Sequence, residues 1–208
     1  MEDVLDLYER PYSTQHPVVC VDERPCQLID DIICPLPCES GKIRKEDSQY
    51  KRNGTCAVFV AVEPLQGFRL LWVRQQRTKK DYALFMKLLA EYYPKAKTIY
   101  VVQDNLNTHS AGAFYETLPA HEAHTLAQRF EFHYTPKKAS WLNMAEIELS
   151  VLSKQCLDRR IPTIKELTTE VKAFEKKRNK RQAKISWRFS TSDARSKMSS
   201  RYHNVLSH

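Results

Sequence analysis

The sequence predicts a mixed α/β domain in which helices flank a sheet. Short runs of β-forming residues alternate with segments of helical periodicity, an order that is typical of this class. The chain has 208 residues, of which 42% are hydrophobic, so it is long enough to bury a core. Only four glycines and ten prolines are present, which argues against fibrous and low-complexity classes. We therefore expect one globular domain with an appended arm.

Each predicted element has a local signal. Strands of apolar and β-branched residues are predicted at residues 18–21, 55–62, 69–74, 97–103 and 130–134. Helices with apolar residues at steps of three and four are predicted within residues 1–16 and at 79–93, 111–117, 121–128, 143–159 and 164–184. Thr78 is the expected cap of the second helix. Residues 23–53 are expected to be irregular or hairpin-like, and residues 187–198 to form a strand-like piece and a short helix.

The net charge of +8 is concentrated near the C-terminus. Residues 151–208 carry 15 Lys and Arg against 5 Asp and Glu, whereas residues 1–150 carry 18 against 20. A basic extension beside a near-neutral domain suits a polyanionic substrate. A solvated, charge-rich helix explains any single cluster equally well.

The N-terminus is acidic and unlike a signal peptide, and no apolar run approaches the roughly 20 residues that span a membrane. We therefore expect a cytoplasmic protein. Because disulfides are rare in that compartment, the six cysteines do not predict a disulfide framework. Cys34 and Cys38 have a spacing near that of zinc ligands, but no second close pair accompanies them, so zinc is disfavoured. Cys20 and Cys156 are interpreted as small buried hydrophobic residues.

The most informative residue is Asp104, which follows the strand at 97–103 and opens an Asn-rich loop. A carboxylate at the end of a buried strand is costly unless a cation shares its site. Asp22 follows the first strand, and parallel pairing of the two strands would bring both aspartates together. Glu146, near the start of the helix at 143–159, completes a candidate set of three carboxylates. Such a set suits two divalent ions that assist phosphodiester chemistry.

The residues alone leave two alternatives open in this set. Glu23 stands beside Asp22 and competes with it as the first acid. Glu148 competes with Glu146, because both flank the same apolar stripe of the predicted helix and periodicity does not choose between them.

Four segments of the chain resemble the catalytic domain of the insertion-sequence 630 family of transposases, bacterial relatives of the mariner elements. They are VVCVDE, YVVQDNLNTHS, FEFHYTPKKASWLNMAEIELSVLSKQCLDRRIP and WRFSTSDARSKM. The resemblance implies a ribonuclease H-like mixed sheet flanked by helices, with a basic helical C-terminal extension. We accordingly divide the chain into an N-terminal helix and linker (1–16), a catalytic domain (17–160) and the extension (161–208).

The resemblance also implies an activity and its residues. In this family an Asp-Asp-Glu triad binds two Mg²⁺ or Mn²⁺ ions, and the family's acids fall here on Asp22, Asp104 and Glu146. Glu146 is matched because LNMAE is similar to the Leu-Asn-Pro-Ile-Glu of relatives. Such enzymes cut DNA at inverted-repeat ends and join the free 3′-hydroxyls to a target, typically at TA. Because two ends are handled together, a homodimer is expected.

Further residues are candidates for contact with DNA or for support of the site. Phosphate contacts are expected from basic side chains of the loop before residue 143 and of the C-terminal region, namely Lys137, Lys138, Arg159, Arg160, Lys177, Arg178, Lys180 and Arg181. Asn105, Asn107 and His109 follow Asp104 and are candidates to position a phosphate or a water around the metal. Loop capping and a helix start near Ser110 explain the same three residues equally well.

The chain also departs from the resembled family. Full-length members carry two helix-turn-helix modules before this domain, and here only residues 1–16 precede it. End recognition is therefore expected to need a helix-turn-helix partner or a frameshift fusion, and a fragment or a decayed copy are the alternatives. Two competing functions remain: a hydrolytic nuclease of ribonuclease H or resolvase type, and a noncatalytic DNA-binding or assembly module.

Overall fold

The fold is organised around a five-stranded sheet, seen in a computed structural model that describes residues 1–33, 40–41 and 48–199. The strands are β1 (Val18–Asp31), β2 (Tyr50–Glu63), β3 (Phe68–Arg74), β4 (Ile99–Gln103) and β5 (Phe130–Tyr134). Their order in the sheet is β3-β2-β1-β4-β5. The pairs β3–β2 and β2–β1 are antiparallel, whereas β1–β4 and β4–β5 are parallel. The predicted mixed α/β class is confirmed.

The described residues form seven α-helices around this sheet. These are α1 (Glu2–Glu9), α2 (Lys79–Tyr92), α3 (Gly112–Thr117), α4 (Ala120–Ala127), α5 (Ala145–Gln155), α6 (Ile164–Lys180) and α7 (Thr191–Lys197). Thr78 caps α2 as predicted, because its hydroxyl accepts from the Asp81 amide while the Asp81 side chain accepts from the Thr78 amide. Among the described residues, no helix is long and apolar enough to cross a membrane.

The sheet separates two apolar cores, and the alternation of side chains along β2 shows how. Phe59 and Ala61 face the core that is closed by α2, α3 and α4. Val58 and Val60, which point the other way, face a second core closed by α5 and α6. On the same side as this second core, α1, α7 and the 3₁₀ turn Ser140–Leu142 form a smaller apolar cluster.

Several predicted elements differ in extent or kind from those found, and three are informative. β1 runs to Asp31, because its polar second half pairs with β2 and obtains its backbone hydrogen bonds there. The helix predicted at 143–159 is the shorter α5. Residues 187–190 form no strand; Trp187 and Phe189 pack on Trp141 instead, which explains their aromatic, strand-like composition. The Cys34–Cys38 pair lies outside the described residues.

Candidate active site

The parallel pairing of β1 and β4 aligns the first two candidate acids. Val18 lies opposite Tyr100, and Cys20 lies opposite Val102. Continuing this register by two residues brings Asp22 level with Asp104, which directly follows β4. The expectation that parallel neighbours bring the two strand ends together is met, although Asp22 lies within β1 rather than at its end. The pairing of β1 with β4 ends at Cys20 and Val102, two residues before the aspartates.

The carboxylate of Asp22 is half-buried and is held by two donors. The Glu23 backbone amide donates to Oδ1 at 2.8 Å, and the Asn143 side-chain amide donates to Oδ2 at 3.3 Å. The pKa of Asp22 is raised to about 7, chiefly by burial. The hydrogen bond from the Glu23 amide lowers it, and the nearby carboxylates of Glu146, Glu23 and Asp104 raise it. The four acids therefore share one electrostatic environment, in which a cation would relieve their mutual repulsion.

A buried histidine joins two of these acids. The Nδ1 of His109 lies 2.5 Å from Asp104 Oδ1, and its Nε2 lies 2.9 Å from Glu23 Oε2. Burial alone would lower the pKa of His109, but the hydrogen bonds to Asp104 and Glu23 raise it to about 9, so the ring is a cation at neutral pH. Arg77 is the second cation near Glu23, at 3.8 Å. His109 is thus an internal counter-ion that fixes the Asp104 side chain.

The histidine is itself fixed by a hydrogen-bonded network. Tyr82 stacks on the His109 ring, with centroids 4.9 Å apart, and donates its hydroxyl to Gln103 Oε1 at 2.8 Å. The Gln103 amide and the Tyr134 hydroxyl donate to the His109 carbonyl, at 3.0 and 3.2 Å. Because Tyr82, Gln103 and His109 are all buried, this arrangement leaves His109 little freedom. The other two supporting candidates, Asn105 and Asn107, are exposed in the loop.

Glu146 and Glu148 have different environments. Glu146 is exposed in the first turn of α5 and is close enough to Asp22 to raise its pKa. Glu148 is fully buried and accepts two hydrogen bonds from Arg178, each of 2.8 Å, while Arg69 Nε lies 3.1 Å away. The carboxylate of Glu148 is therefore occupied by two guanidinium groups, so of these two acids only Glu146 has a free carboxylate.

Asn143 ties the start of α5 to β1 and was not singled out from the sequence. Its Nδ2 donates to the Val21 carbonyl at 2.9 Å as well as to Asp22, while its Oδ1 accepts from the Ala145 amide at 3.1 Å. One buried side chain thus caps the helix that carries Glu146 and orients Asp22. The available signal was an asparagine at a predicted helix start, which is typical of a cap.

The three candidate acids offer the type of ligand atom that a hard divalent cation prefers. Asp22, Asp104 and Glu146 offer only carboxylate oxygens, which are the ligands that Mg²⁺ and Mn²⁺ prefer. Within the described part of the chain, however, no three His, Cys, Asp or Glu side chains lie close enough together to form a complete metal centre. The acids lie in one region of the fold but do not form a tight cluster, because their negative charges repel one another.

The basic candidates fall into two groups. Lys137, Lys138, Lys177, Lys180 and Arg181 are exposed, and none has a carboxylate partner among the described residues. The others are engaged: Arg159 with Glu170, Arg160 with Asp31 at 2.6 Å, and Arg178 with Glu148. The guanidinium of Arg178 neutralises a buried acid and so has a structural role, while its contact with DNA stays a prediction.

The free basic residues lie toward both edges of the sheet. Lys137 and Lys138 follow β5, which is one edge of the sheet. α6, which carries Lys177 and Lys180, packs on β3 at the opposite edge, where Asn179 exchanges two hydrogen bonds of 2.8 Å with the backbone of Arg69. Asp22 lies on β1, the central strand, and Asp104 directly follows β4 beside it.

Comparison with solved structures identifies the fold. The chain is similar to the Mos1 strand transfer complex (TM-score 0.57, 15% identity, covering 86% of this chain and 54% of that one). It is also similar to a pre-cleavage Mos1 transpososome, with a TM-score of 0.54 and 13% identity, covering 86% of this chain and 58% of that one. A third similar structure is the intasome of simian T-cell lymphotropic virus in complex with a PP2A regulatory subunit, with a TM-score of 0.50 and 15% identity, covering 78% of this chain and 49% of that one. At this identity the likeness shows the fold alone. No curated protein sequence is matched.

Fold and site together define a ribonuclease H-like domain with a carboxylate cluster next to the centre of its sheet, and the fold expected from the sequence is confirmed. Residues 17–168, more than half of the chain, match the family model of the DDE superfamily endonucleases. The chain belongs to this family. It spans little more than half the length of the Mos1 chains that it resembles.

Proposed function

We propose that this chain is the catalytic domain of an insertion-sequence 630-type transposase, which cuts transposon-end DNA and transfers the strand into target DNA. The observation that carries the proposal is the alignment of Asp22 with Asp104 in the parallel register of β1 and β4, and the effect of Glu146 on the pKa of Asp22 adds support. Family membership supports this reading. So do the structures similar in fold, which are the Mos1 strand transfer complex and a pre-cleavage Mos1 transpososome.

In this proposal Asp22, Asp104 and Glu146 hold two Mg²⁺ or Mn²⁺ ions. Such ions activate water or a 3′-hydroxyl and stabilise the leaving oxygen when bound. His109 keeps the Asp104 carboxylate oriented through Nδ1 and neutralises Glu23 through Nε2. Asn143 orients Asp22 and caps the helix of Glu146, so one side chain couples two ligands.

DNA is the proposed partner, and its phosphates are contacted from both edges of the sheet. Lys137 and Lys138 act on one side, and Lys177, Lys180 and Arg181 on the other. A homodimer and a helix-turn-helix partner or frameshift fusion complete the proposal, since two ends must be held and recognised. The site of action is the cytoplasm, at the nucleoid.

The first test is calorimetry of Mn²⁺ binding to the wild type and to Asp104→Ala, with Asp22→Ala and Glu146→Ala as companions. All three substitutions are expected to remove most of the binding. Glu131→Gln, which changes an exposed acid on β5, is the matched control and should bind as the wild type does. A wild type that binds no divalent ion even with DNA present would overturn the catalytic proposal and favour the noncatalytic module.

A second test separates transposase from nuclease. Duplexes that carry the inverted repeats flanking the gene are incubated with Mn²⁺ and a target plasmid, and joined products are separated from cut ones. Joining that requires Asp104 supports the transposase. If a preparation that includes any end-binding partner cuts the DNA but does not join it, the hydrolytic nuclease is favoured.

A further inference from the structure

A cavity of about 330 Å³ lies at the end of the sheet remote from the acids. Its lining includes Tyr12, Glu63, Phe68, Tyr92, Tyr93 and Lys95. Glu63 ends β2, and the register of Cys20 with Val62 places Glu63 beside the beginning of β1. Asp104, by contrast, follows the far end of β4. The cavity is therefore separate from the candidate active site.

The carboxylate of Glu63 is buried and only half satisfied. The residue is 3% exposed, and its Oε2 accepts a hydrogen bond of 2.9 Å from the Tyr93 hydroxyl. Its Oε1 is buried without a hydrogen-bond partner among the described residues. Burial raises the pKa of Glu63 more than the Tyr93 hydroxyl lowers it. A buried acceptor left open on a cavity wall is costly to the fold, and a ligand that donates to it would remove that cost.

The neighbouring aromatic rings favour a cation of organic type. Phe68 packs against Tyr92 and Tyr93, with ring centroids 5.3 and 6.1 Å away. Tyr12 is 44% exposed. Burial raises the pKa of its phenol, and the nearby carboxylate of Glu63 raises it further. Aromatic faces attract organic cations, and a carboxylate adds a charged hydrogen bond. A bare divalent metal ion is usually bound by more than one carboxylate, and Glu63 is the one carboxylate among the described residues of this lining.

Among the described residues that line the cavity, Lys95 is the one with a cationic side chain, and it does not neutralise Glu63. Its side chain is exposed, and no ion pair joins it to Glu63 within the described residues. The charge that a ligand meets inside the cavity is therefore the negative charge of Glu63, and no positive charge of the lining is paired with it among the described residues.

We propose that this cavity is a binding site for an organic cation, namely an ammonium or guanidinium group on a short apolar stem. The head group donates to Glu63 Oε1, and the stem lies along Phe68 and Tyr92. A free aliphatic amine or guanidine carries this chemistry, and so does a Lys or Arg side chain of a second copy of this chain. The inference does not depend on the catalytic proposal, because no residue of the carboxylate cluster takes part.

The test uses n-butylguanidinium as the probe and n-butylurea as its uncharged analogue, each titrated into ¹⁵N-labelled protein. We expect saturable chemical-shift changes at the amides of Phe68, Tyr93 and Ala96 for the cation only. Glu63→Gln keeps the shape of the side chain and is expected to weaken binding by at least about tenfold, the loss that accompanies a missing charged hydrogen bond. Glu116→Gln, at an exposed acid on α3, is the matched control and should leave the titration unchanged.

Several results would overturn the proposal. They are equal binding of the urea, unchanged binding by a Glu63→Gln protein whose melting temperature is that of the wild type, and no saturable shift up to tens of millimolar. Sedimentation then separates the two sources of the cation. Self-association that butylguanidinium reverses assigns the ligand to a second copy, whereas a monomer that binds the probe assigns it to a free amine or guanidine.

Discussion

Glu146 and Glu148 lie two residues apart on α5, and the structure predicts opposite consequences for their substitution. Glu148→Ala removes the only carboxylate that pairs with Arg69 among the described residues, and the Arg69 side chain is fully buried. Breaking a buried pair by removing one partner costs about 3–5 kcal/mol, because the remaining charge stays desolvated. Arg178 retains 17% exposure and can regain part of its hydration, so the lower end of this range is expected. For a chain of this size that lowers the melting temperature by roughly 10 °C.

Glu146→Ala has the reverse profile. The side chain is exposed and no hydrogen bond or ion pair holds it within the described residues, so the free energy of unfolding should change by less than about 0.5 kcal/mol. Mn²⁺ binding, in contrast, should be largely lost. Urea unfolding in EDTA gives the stability of each variant, and calorimetry gives its metal affinity.

A double variant tests the reasoning where Glu148→Ala fails to fold. Arg69→Met with Glu148→Leu replaces the buried pair by apolar side chains of similar size, which is often close to neutral. Recovery of most of the lost stability would show that the uncompensated charge, and not the shape of the residue, caused the loss. A Glu148→Ala protein that is as stable as the wild type, or a Glu146→Ala protein that is equally destabilised, would refute the assignment of the two roles.

Three further predictions concern the surroundings of the acids. Asn143→Ala should weaken Mn²⁺ binding about 10- to 100-fold, because Asp22 loses an orienting hydrogen bond. It should also lower the free energy of unfolding in urea by about 1 kcal/mol, because α5 loses a cap. Unchanged Mn²⁺ affinity would contradict the orienting role. His109→Gln should also weaken Mn²⁺ binding about tenfold, but should lower stability in EDTA as well, because Asp104 and Glu23 lose their shared counter-ion. Replacing Lys137 and Lys138 by Ala should reduce the slope of log K against log salt by about two in fluorescence anisotropy with duplex DNA, and an unchanged slope would remove them from the interface.

The sequence carried enough local information for the sheet and most helices. β5 is found at its predicted bounds, and the capping box at Thr78 fixed the start of α2. The second half of β1 escaped prediction because its polar residues have no strand periodicity. They are held by pairing with β2, which is a tertiary property.

The site was predictable only in part, because some of its contacts follow from strand topology and others depend on residues that are distant in sequence. Asp22 and Asp104 could be related because parallel strands place equivalent ends together, which is a rule of topology. The choice between Glu146 and Glu148 could not be made from periodicity, since it depends on Arg69, which is distant in sequence. The structural role of Arg178 could not be predicted either, because a basic residue in a basic helix carries no sign that an acid is buried beneath it.

The carboxylate cluster implies a conflict between stability and metal binding that Asp22→Asn can expose. The Asp22 side chain is half-buried, no Lys or Arg pairs with it in the described part of the chain, and three carboxylates lie near it. Without a cation this charge opposes folding, whereas asparagine can still accept the Glu23 amide hydrogen bond. We expect Asp22→Asn to raise the free energy of unfolding in EDTA by roughly 1 kcal/mol while it abolishes most Mn²⁺ binding. Asp158→Asn, at an exposed acid, should change neither quantity. If Asp22→Asn instead destabilises the metal-free protein, the negative charge at Asp22 is compensated from within the fold, and the repulsion that makes this cluster a cation site is absent.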